Sequence, residues 1–308
     1  MTGVRRRVLL FTSQDIGFQF ADYLATRRDI ELLVIADRTA RDDAYGYRSA
    51  IDVCERESIP CIRTARVDDA IVAQVRAFEP DLMMTVYFPH IVPQIVQDVS
   101  KVKPVNIHPG ILPHYRGRYP TPWYILNGAK EFGIAIHRLD GGVDTGDVLV
   151  QERFRLDETA TGHALYRQTM DLGAQLLIKH FDALIDDRIP AQPQAGGGSY
   201  YSRIEPRYHV DWNLSRETIA RRVRVHAKPY FPAFSYLFNR LISINRVAAI
   251  DPPGYSAQGG GRIVAVGADG ALTVSCSDGC LRLEEYEVCP SWAPGEFERV
   301  ARVGARFE

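Results

Sequence analysis

Over the first ninety residues the apolar positions fall into short unbroken runs, V-L-L-F (8–11), E-L-L-V-I-A (31–36) and D-L-M-M-T-V-Y-F (81–88), set between stretches of mixed character. Runs of that length predict strands covered on both faces, as in parallel sheets. The intervening stretches read as helices at 15–27 and at 68–79, the second with Ile71, Val72, Val75 and Phe78 on one face. This alternation predicts a doubly wound, mostly parallel α/β sheet, whose ligands sit beyond the carboxyl ends of the strands. Two more strand patterns follow, P-V-N-I-H (104–108) and I-A-I-H-R-L-D (134–140). The longest helical pattern, 161–189, carries a core-facing stripe of Leu165, Leu172, Leu176, Leu177, Phe181 and Leu184. P-A-Q-P-Q-A-G-G-G then reads as linker. Beyond it come one helix (215–226) and short strands over 240–288, around glycine-rich turns, which predict a small β-rich, barrel-like module. The expected boundaries are a first domain at 1–189, a linker at 190–204 and a second domain at 205–308.

A length of 308 residues suits two domains, and 46% hydrophobic with 24% charged residues suits a globular chain with a sizeable core. The formal net charge of -1 gives no electrostatic case for nucleic acid. The start R-R-R-V-L-L-F imitates a signal peptide, but its apolar run stops at Thr12-Ser13-Gln14-Asp15. No stretch approaches the ~20 apolar residues of a membrane span, so a cytoplasmic protein without membrane contact is expected. Five cysteines, an odd number, fit free thiols in a reducing compartment. Cys276, Cys280 and Cys289 lack a fourth ligand nearby and the Cys-x-x-Cys spacing, so they read as strand cysteines and no metal is expected. With no Walker A loop and no strand-anchored Gly-x-Gly-x-x-Gly, kinase and dinucleotide readings fall away.

The chemistry concentrates between Pro104 and Asp147. Asn106 and His108, two apart on a strand, project from one face, and Pro109-Gly110 then breaks the line. After the second strand, G-G-V-D-T-G offers Asp144 between flexible glycines. This trio suits attack of an amine on an acyl carbon. A neutral imidazole can take the amine's proton, a carboxylate beside it favours its charged form, and a carboxamide N–H can steady the developing oxyanion. Such direct transfer needs no serine, cysteine or metal.

The same residues resemble the 10-formyltetrahydrofolate-dependent formyltransferases, among them methionyl-tRNA formyltransferase and the sugar-nucleotide N-formyltransferases. The family's pattern is met by Asn106-x-His108, Leu112-Pro113, Tyr115-Arg116-Gly117, Gly133-Ile134, His137 and Asp144-Thr145-Gly146. The resemblance implies a Rossmann-like catalytic domain with Asn106, His108 and Asp144 as the catalytic set and 10-formyltetrahydrofolate as the formyl donor. It assigns the folate to the strand end Tyr87, Phe88, Pro89 and His90 and to the loop carrying Leu139, Asp140, Gly142 and Val143. His137 reads as a packed strand histidine and His114 as a loop residue. A weaker resemblance, through Asp211-Trp212 and the alternating strands, links the second domain to the family's small C-terminal domain.

Two acceptors compete. A tRNA acceptor predicts a basic insertion near the site and a basic second domain, yet D-R-T-A-R-D-D-A-Y-G-Y (37–47) is balanced. Residues 205–308 carry thirteen Lys/Arg against twelve Asp/Glu, a net of +1. Arg116, Arg118, Tyr119 and Trp123 mix cationic donors with aromatic faces, as a nucleotide-linked amino sugar requires. The expected activity is therefore formylation of a nucleoside-diphosphate amino sugar, with tRNA and DNA not expected as partners and self-association left open. The alternatives are methionyl-tRNA, another small amine of hydroxyornithine type, a formyl-folate hydrolase using water, and a non-catalytic folate-binding protein. The intact trio argues against the last.

Overall fold

The computed structural model describes residues 5–38, 45–253, 259–289, 293 and 295–308. The chain divides into two compact units, each assembled from separate stretches. Unit 1 takes the residues up to Pro120, Glu131–Arg155 and Arg167–Ser202; unit 2 takes Thr121–Lys130, Leu156–Tyr166 and Arg203–Glu308.

Unit 1 opens with β1 (Arg6–Thr12), α1 (Gln14–Ala25), β2 (Ile30–Asp37), α2 (Ala50–Glu57), β3 (Cys61–Thr64), α3 (Asp69–Phe78), β4 (Leu82–Val86), α4 (Gln94–Gln97) and β5 (Val102–His108). The short β6 (Arg116–Gly117) follows, then α5 (Thr121–Leu126) of unit 2, β7 (Glu131–Arg138), β8 (Val148–Arg155), α6 (Gly162–Ile185), which belongs to unit 1 from Arg167 on, and β9 (Tyr200–Tyr201). The seven-stranded sheet runs β3-β2-β1-β4-β5-β7-β8. Its first five strands are parallel, while β7 is antiparallel to both neighbours. The strand order reverses direction between β1 and β4, so the switch point lies there, beside β5.

Apolar runs become strands because both sheet faces are covered. Leu9, Phe11, Leu33, Ile35 and Met83 share one face with Ile71 and Val75 of α3. On α1 and α6, Phe20 and Phe181 meet edge to face at 5.9 Å. α3 is capped by the Asp68 carboxylate, which accepts from Ile71 N–H at 3.2 Å. The stretch expected as linker is ordered against unit 1 as far as Ser202: Gln192 exchanges backbone hydrogen bonds with Val148, and β9 pairs with β6.

Unit 2 adds α7 (Arg216–His226), β10 (Ala233–Leu237), β11 (Arg240–Ile250), β12 (Ile263–Val266), β13 (Leu272–Cys276), β14 (Gly279–Val288) and α8 (Glu296–Val300). The strands form an antiparallel sheet in the order β10-β11-β14-β13-β12. Its two outer strands are joined by residues 305–308. Glu308 exchanges hydrogen bonds with Tyr236, while Phe307 N–H donates to Gly261 O and Ile263 N–H to Ala305 O. The β-rich module is thus closed like a barrel around Trp212, Ile242, Ile244, Val274, Leu281 and Phe307. Cys276 and Cys280 are buried on the β13–β14 hairpin. Among the described residues no helix is long and apolar enough to cross a membrane.

Candidate active site

The site begins as a row of polar side chains across the carboxyl ends of three strands. Register sets Thr85 of β4 beside Asn106 of β5, and Asn106 opposite His137 of β7. Thr85 Oγ1 donates to Asn106 Oδ1 at 2.7 Å, which fixes the carboxamide's orientation. Asn106 Nδ2 then lies 3.0 Å from His137 Nε2 and 3.4 Å from Asp144 Oδ1. His137 Nδ1 is 2.8 Å from its acceptor, Arg138 O, so its proton sits there and Nε2 accepts from Asn106.

His108, two residues beyond Asn106, is 4% exposed and lies opposite Ala135, whose small side chain leaves space for the ring. Gly110 turns the chain back over that ring; a Cβ there would come within 2.5 Å of His108 Cδ2. His108 Nε2 lies 2.7 Å from Tyr115 O and Nδ1 lies 3.5 Å from Asp144 Oδ2. The carbonyl can only accept, so Nε2 carries the proton and Nδ1 presents a lone pair towards the carboxylate.

Asp144 adopts a left-handed backbone, φ 54°, in the loop between β7 and β8. Its Oδ2 accepts from Gly117 N–H at 2.9 Å, and its Oδ1 lies 3.4 Å from His137 Nε2. Gly117 has φ 97°, and a Cβ would meet Tyr201 O at 2.4 Å, so only glycine fits there. Burial holds the His108 pKa below its ordinary value, against the opposing pull of Asp144 and of Tyr115 O. Burial would raise the Asp144 carboxyl, yet the contacts with His108, His137 and Gly117 N–H outweigh it and bring it to about 2. The resting pair is a carboxylate beside a neutral imidazole, its negative charge met by Gly117 N–H and the Asn106 amide.

The trio Asn106, His108 and Asp144 is thus assembled in one place. His137 is the packed strand histidine expected, 1% exposed on β7, and it also touches Asn106 and Asp144; the signal was its position opposite Asn106 once the strands are paired. His114 is an exposed loop residue. Arg116, expected at the acceptor, is instead buried: Nε and Nη2 donate to Gln194 Oε1 at 3.1 and 2.6 Å, and Nη1 to Tyr200 Oη at 3.2 Å. Arg118 and Tyr119 are exposed in unit 1, with the guanidinium 5.6 Å from the ring centroid. Trp123 lies on α5, in the other compact unit. Residues 39–44, within the charge-balanced segment 37–47, lie outside the described residues.

The two loops expected to hold the folate share one apolar floor, since Phe88 and Leu139 pack on the same cluster. Tyr87 serves the scaffold, with its phenol on Thr169 at 3.1 Å and its carbonyl accepting from Ser13 Oγ at 2.6 Å. His90 Nε2 is 3.0 Å from the buried Asp37 carboxylate, and Pro89 links it to Phe88. Asp140 accepts from Gly142 N–H and Thr145 Oγ1, which ties up its carboxylate within the loop. Val143 remains 53% exposed and Ile91 83%. An apolar floor with exposed aliphatic side chains suits a flat aromatic ring.

Residues 32–181 match the family described as formyl transferase, and residues 204–289 match its C-terminal domain. A methionyl-tRNA formyltransferase of Pelobacter propionicus is 32% identical over 269 residues, covering 85% of this chain and 82% of that protein. The chain belongs to the formyl transferase family. A second such relative, from Geotalea uraniireducens, is 30% identical over 77% of this chain and 74% of its own. Among solved structures, the N-formyltransferase from Helicobacter canadensis, in complex with folinic acid and dTDP-3-aminofucose, superposes with a TM-score of 0.71 at 18% identity, covering 92% of this chain and 100% of that one. The sugar 3N-formyltransferase WlaRD gives 0.69 at 19% identity, with the same coverage of both chains. These structures share the fold. The family makes this chain a folate-dependent N-formyltransferase.

Proposed function

We propose that the enzyme moves a formyl group from 10-formyltetrahydrofolate to the primary amine of a nucleoside-diphosphate amino sugar. The amine nitrogen attacks the formyl carbon, and His108 Nδ1 takes the proton it loses, 3.5 Å from the Asp144 carboxylate that stabilises the resulting imidazolium. Asn106 Nδ2 has one short contact, with His137, and one long one, with Asp144. The N–H on the long contact is the one a developing oxyanion can claim. Collapse breaks the bond from carbon to N10 of the folate, which leaves with a proton as tetrahydrofolate, and the acceptor becomes a formamide.

The observation that carries the acceptor class is the exposed Arg118 guanidinium set over the Tyr119 ring in unit 1, together with a second domain of net charge +1. Cation plus aromatic face suits a diphosphate and a base; a second domain whose charges nearly cancel does not suit a long phosphate backbone. Structural neighbours solved with dTDP or a dTDP-amino sugar support the same reading. Methionyl-tRNA is the second reading, favoured by the sequence relatives that carry that name. The test is tetrahydrofolate release from 10-formyltetrahydrofolate with each of a panel of nucleotide amino sugars or with charged initiator tRNA. Release that requires a nucleotide amino sugar is expected. Release that requires the tRNA, or proceeds with water alone, would overturn it.

A further inference from the structure

Gln194 lies in the stretch that composition marks as linker, and both ends of its carboxamide are engaged near the site. Its Nε2 donates to Asp144 O at 2.9 Å and to Gly146 O at 2.7 Å. Its Oε1 accepts both Arg116 Nε and Arg116 Nη2. The orientation is unambiguous, because a flipped amide would face two carbonyls with an oxygen and a guanidinium with N–H groups. The backbone beside it is held by the Gln192–Val148 exchange, and Arg116 is held at its other end by Ser199 O, which accepts Arg116 N–H at 2.9 Å. Gly117, next to Arg116, gives the N–H that binds the Asp144 carboxylate.

Asp144 is therefore gripped at both ends by one connected device, its carbonyl by Gln194 and its carboxylate by Gly117. A non-glycine residue with φ 54° is strained and persists where its surroundings over-determine it. We infer that Gln194 is a positioning residue for the transfer reaction, holding Asp144 in its left-handed conformation so that the carboxylate faces His108. Arg116 orients the Gln194 amide, which explains why a buried arginine stands one residue from a catalytic contact without facing the acceptor. The inference rests on the reading of Asp144 and His108 given above.

The substitution that separates the two ends of the amide is Gln194→Glu. A carboxylate keeps the Arg116 contact and cannot donate to the carbonyls of Asp144 and Gly146. Gln194→Met, of similar length, removes both and serves if the glutamate variant does not fold. Each is compared with Asp144→Asn for thermal midpoint, folate and acceptor dissociation constants, single-turnover rate and the pH profile of kcat/KM. The expected result is a single-turnover rate reduced about tenfold or more, dissociation constants changed less than about threefold, and the acid limb moved to lower pH because His108 loses the carboxylate that raises its pKa. A purely structural glutamine predicts a lower melting temperature with the rate per folded molecule and the acid limb unchanged, and that result overturns the inference. If Asp144→Asn itself keeps the wild-type rate, the reading of the trio fails; if Asp144→Asn falls and the Gln194 variants do not, only the positioning role fails.

Discussion

His108 meets two oxygen acceptors, Tyr115 O and the Asp144 carboxylate, and when neutral has one N–H to give. Only the imidazolium satisfies both, and burial opposes that charge until an amine supplies the proton. Replacement by alanine should lower turnover by ~10²–10⁴ with the fold and folate affinity retained, since the loss falls on the chemical step. Single-turnover rates and equilibrium binding on one preparation check this, and near-normal turnover sinks the mechanism. A base must be unprotonated to act, so kcat/KM rises with pH through the pKa of His108. Burial sets that pKa below the ordinary ~6.5, which puts the acid limb under that value. Asp144→Asn removes the charge that pulls it upward, so the limb should move further down while the plateau falls. Asn106, His108 and Asp144 were legible because they stand in short, ordered motifs along the chain. His137 is the packed strand histidine that the sequence suggests, but its contact with Asn106 was not legible, because it depends on the β5–β7 register, which no local pattern records. The structural contacts of Arg116 were equally silent, since the acceptor of its guanidinium, Gln194, lies 78 residues away.

The elements follow the sequence where apolar runs are continuous and depart from it where termination is conformational. α6 ends at Ile185 rather than 189, because Asp187 turns left-handed at φ 52°. β6 and β9 are two residues each, too short for any periodicity to announce. Closure of the β-rich module by residues 305–308 is equally silent, since its ladder is made with Tyr236, Gly261 and Ile263, all distant in sequence. Phe307 is 2% exposed beside Trp212, with ring centroids 5.5 Å apart. Phe307→Ala should therefore cost about 3–5 kcal/mol in urea unfolding of unit 2, and a loss under about 1 kcal/mol would show that the closing strand carries no core. In unit 1 the first turn of α1 carries Asp15, 1% exposed, which accepts from Arg48 Nε at 2.8 Å, Arg48 Nη2 at 2.9 Å and Gln19 Nε2 at 2.8 Å. Burial would raise its carboxyl; the Arg48 hydrogen bonds lead the groups that bring it to about 2. A depressed carboxyl stabilises above its unfolded value of ~3.9, and that stability is lost as pH falls towards 2. Allowing for the half-exposed Arg48, Asp15→Asn should cost about 2 kcal/mol at pH 7. The gap from wild type should narrow between pH 4 and pH 2; a gap independent of pH would exclude the ionised pair as its source.

At the scale of the whole molecule the acceptor is a question about charge. The chain carries 37 Lys/Arg against 38 Asp/Glu, and residues 205–308 carry thirteen against twelve, so the molecule has a net of -1 and its second domain a net of only +1. α7 does gather Arg216, Arg221, Arg222 and Arg224, but Arg216 is paired with Asp251 and Arg221 with Glu217. Of the remaining two, Arg222 lies 5.1 Å from the Tyr208 ring centroid, and Arg224 is half-buried with its pKa lowered chiefly by that burial. A nucleotide sugar brings about two phosphate charges, so its affinity should respond weakly to salt; a tRNA neutralised at six to ten phosphates would lose about 10³–10⁵ in affinity between 50 and 200 mM. With 10-formyltetrahydrofolate saturating, KM for the formylated nucleotide amino sugar should rise less than about fivefold across that range. Arg118→Ala should raise KM while leaving kcat near wild type, because a contact made equally in ground and transition states affects binding alone. A steep salt dependence with charged initiator tRNA as the acceptor, insensitive to Arg118, would transfer the activity to the second reading; formylation of both acceptors with one steep and one flat profile would place two acceptor surfaces around the same His108.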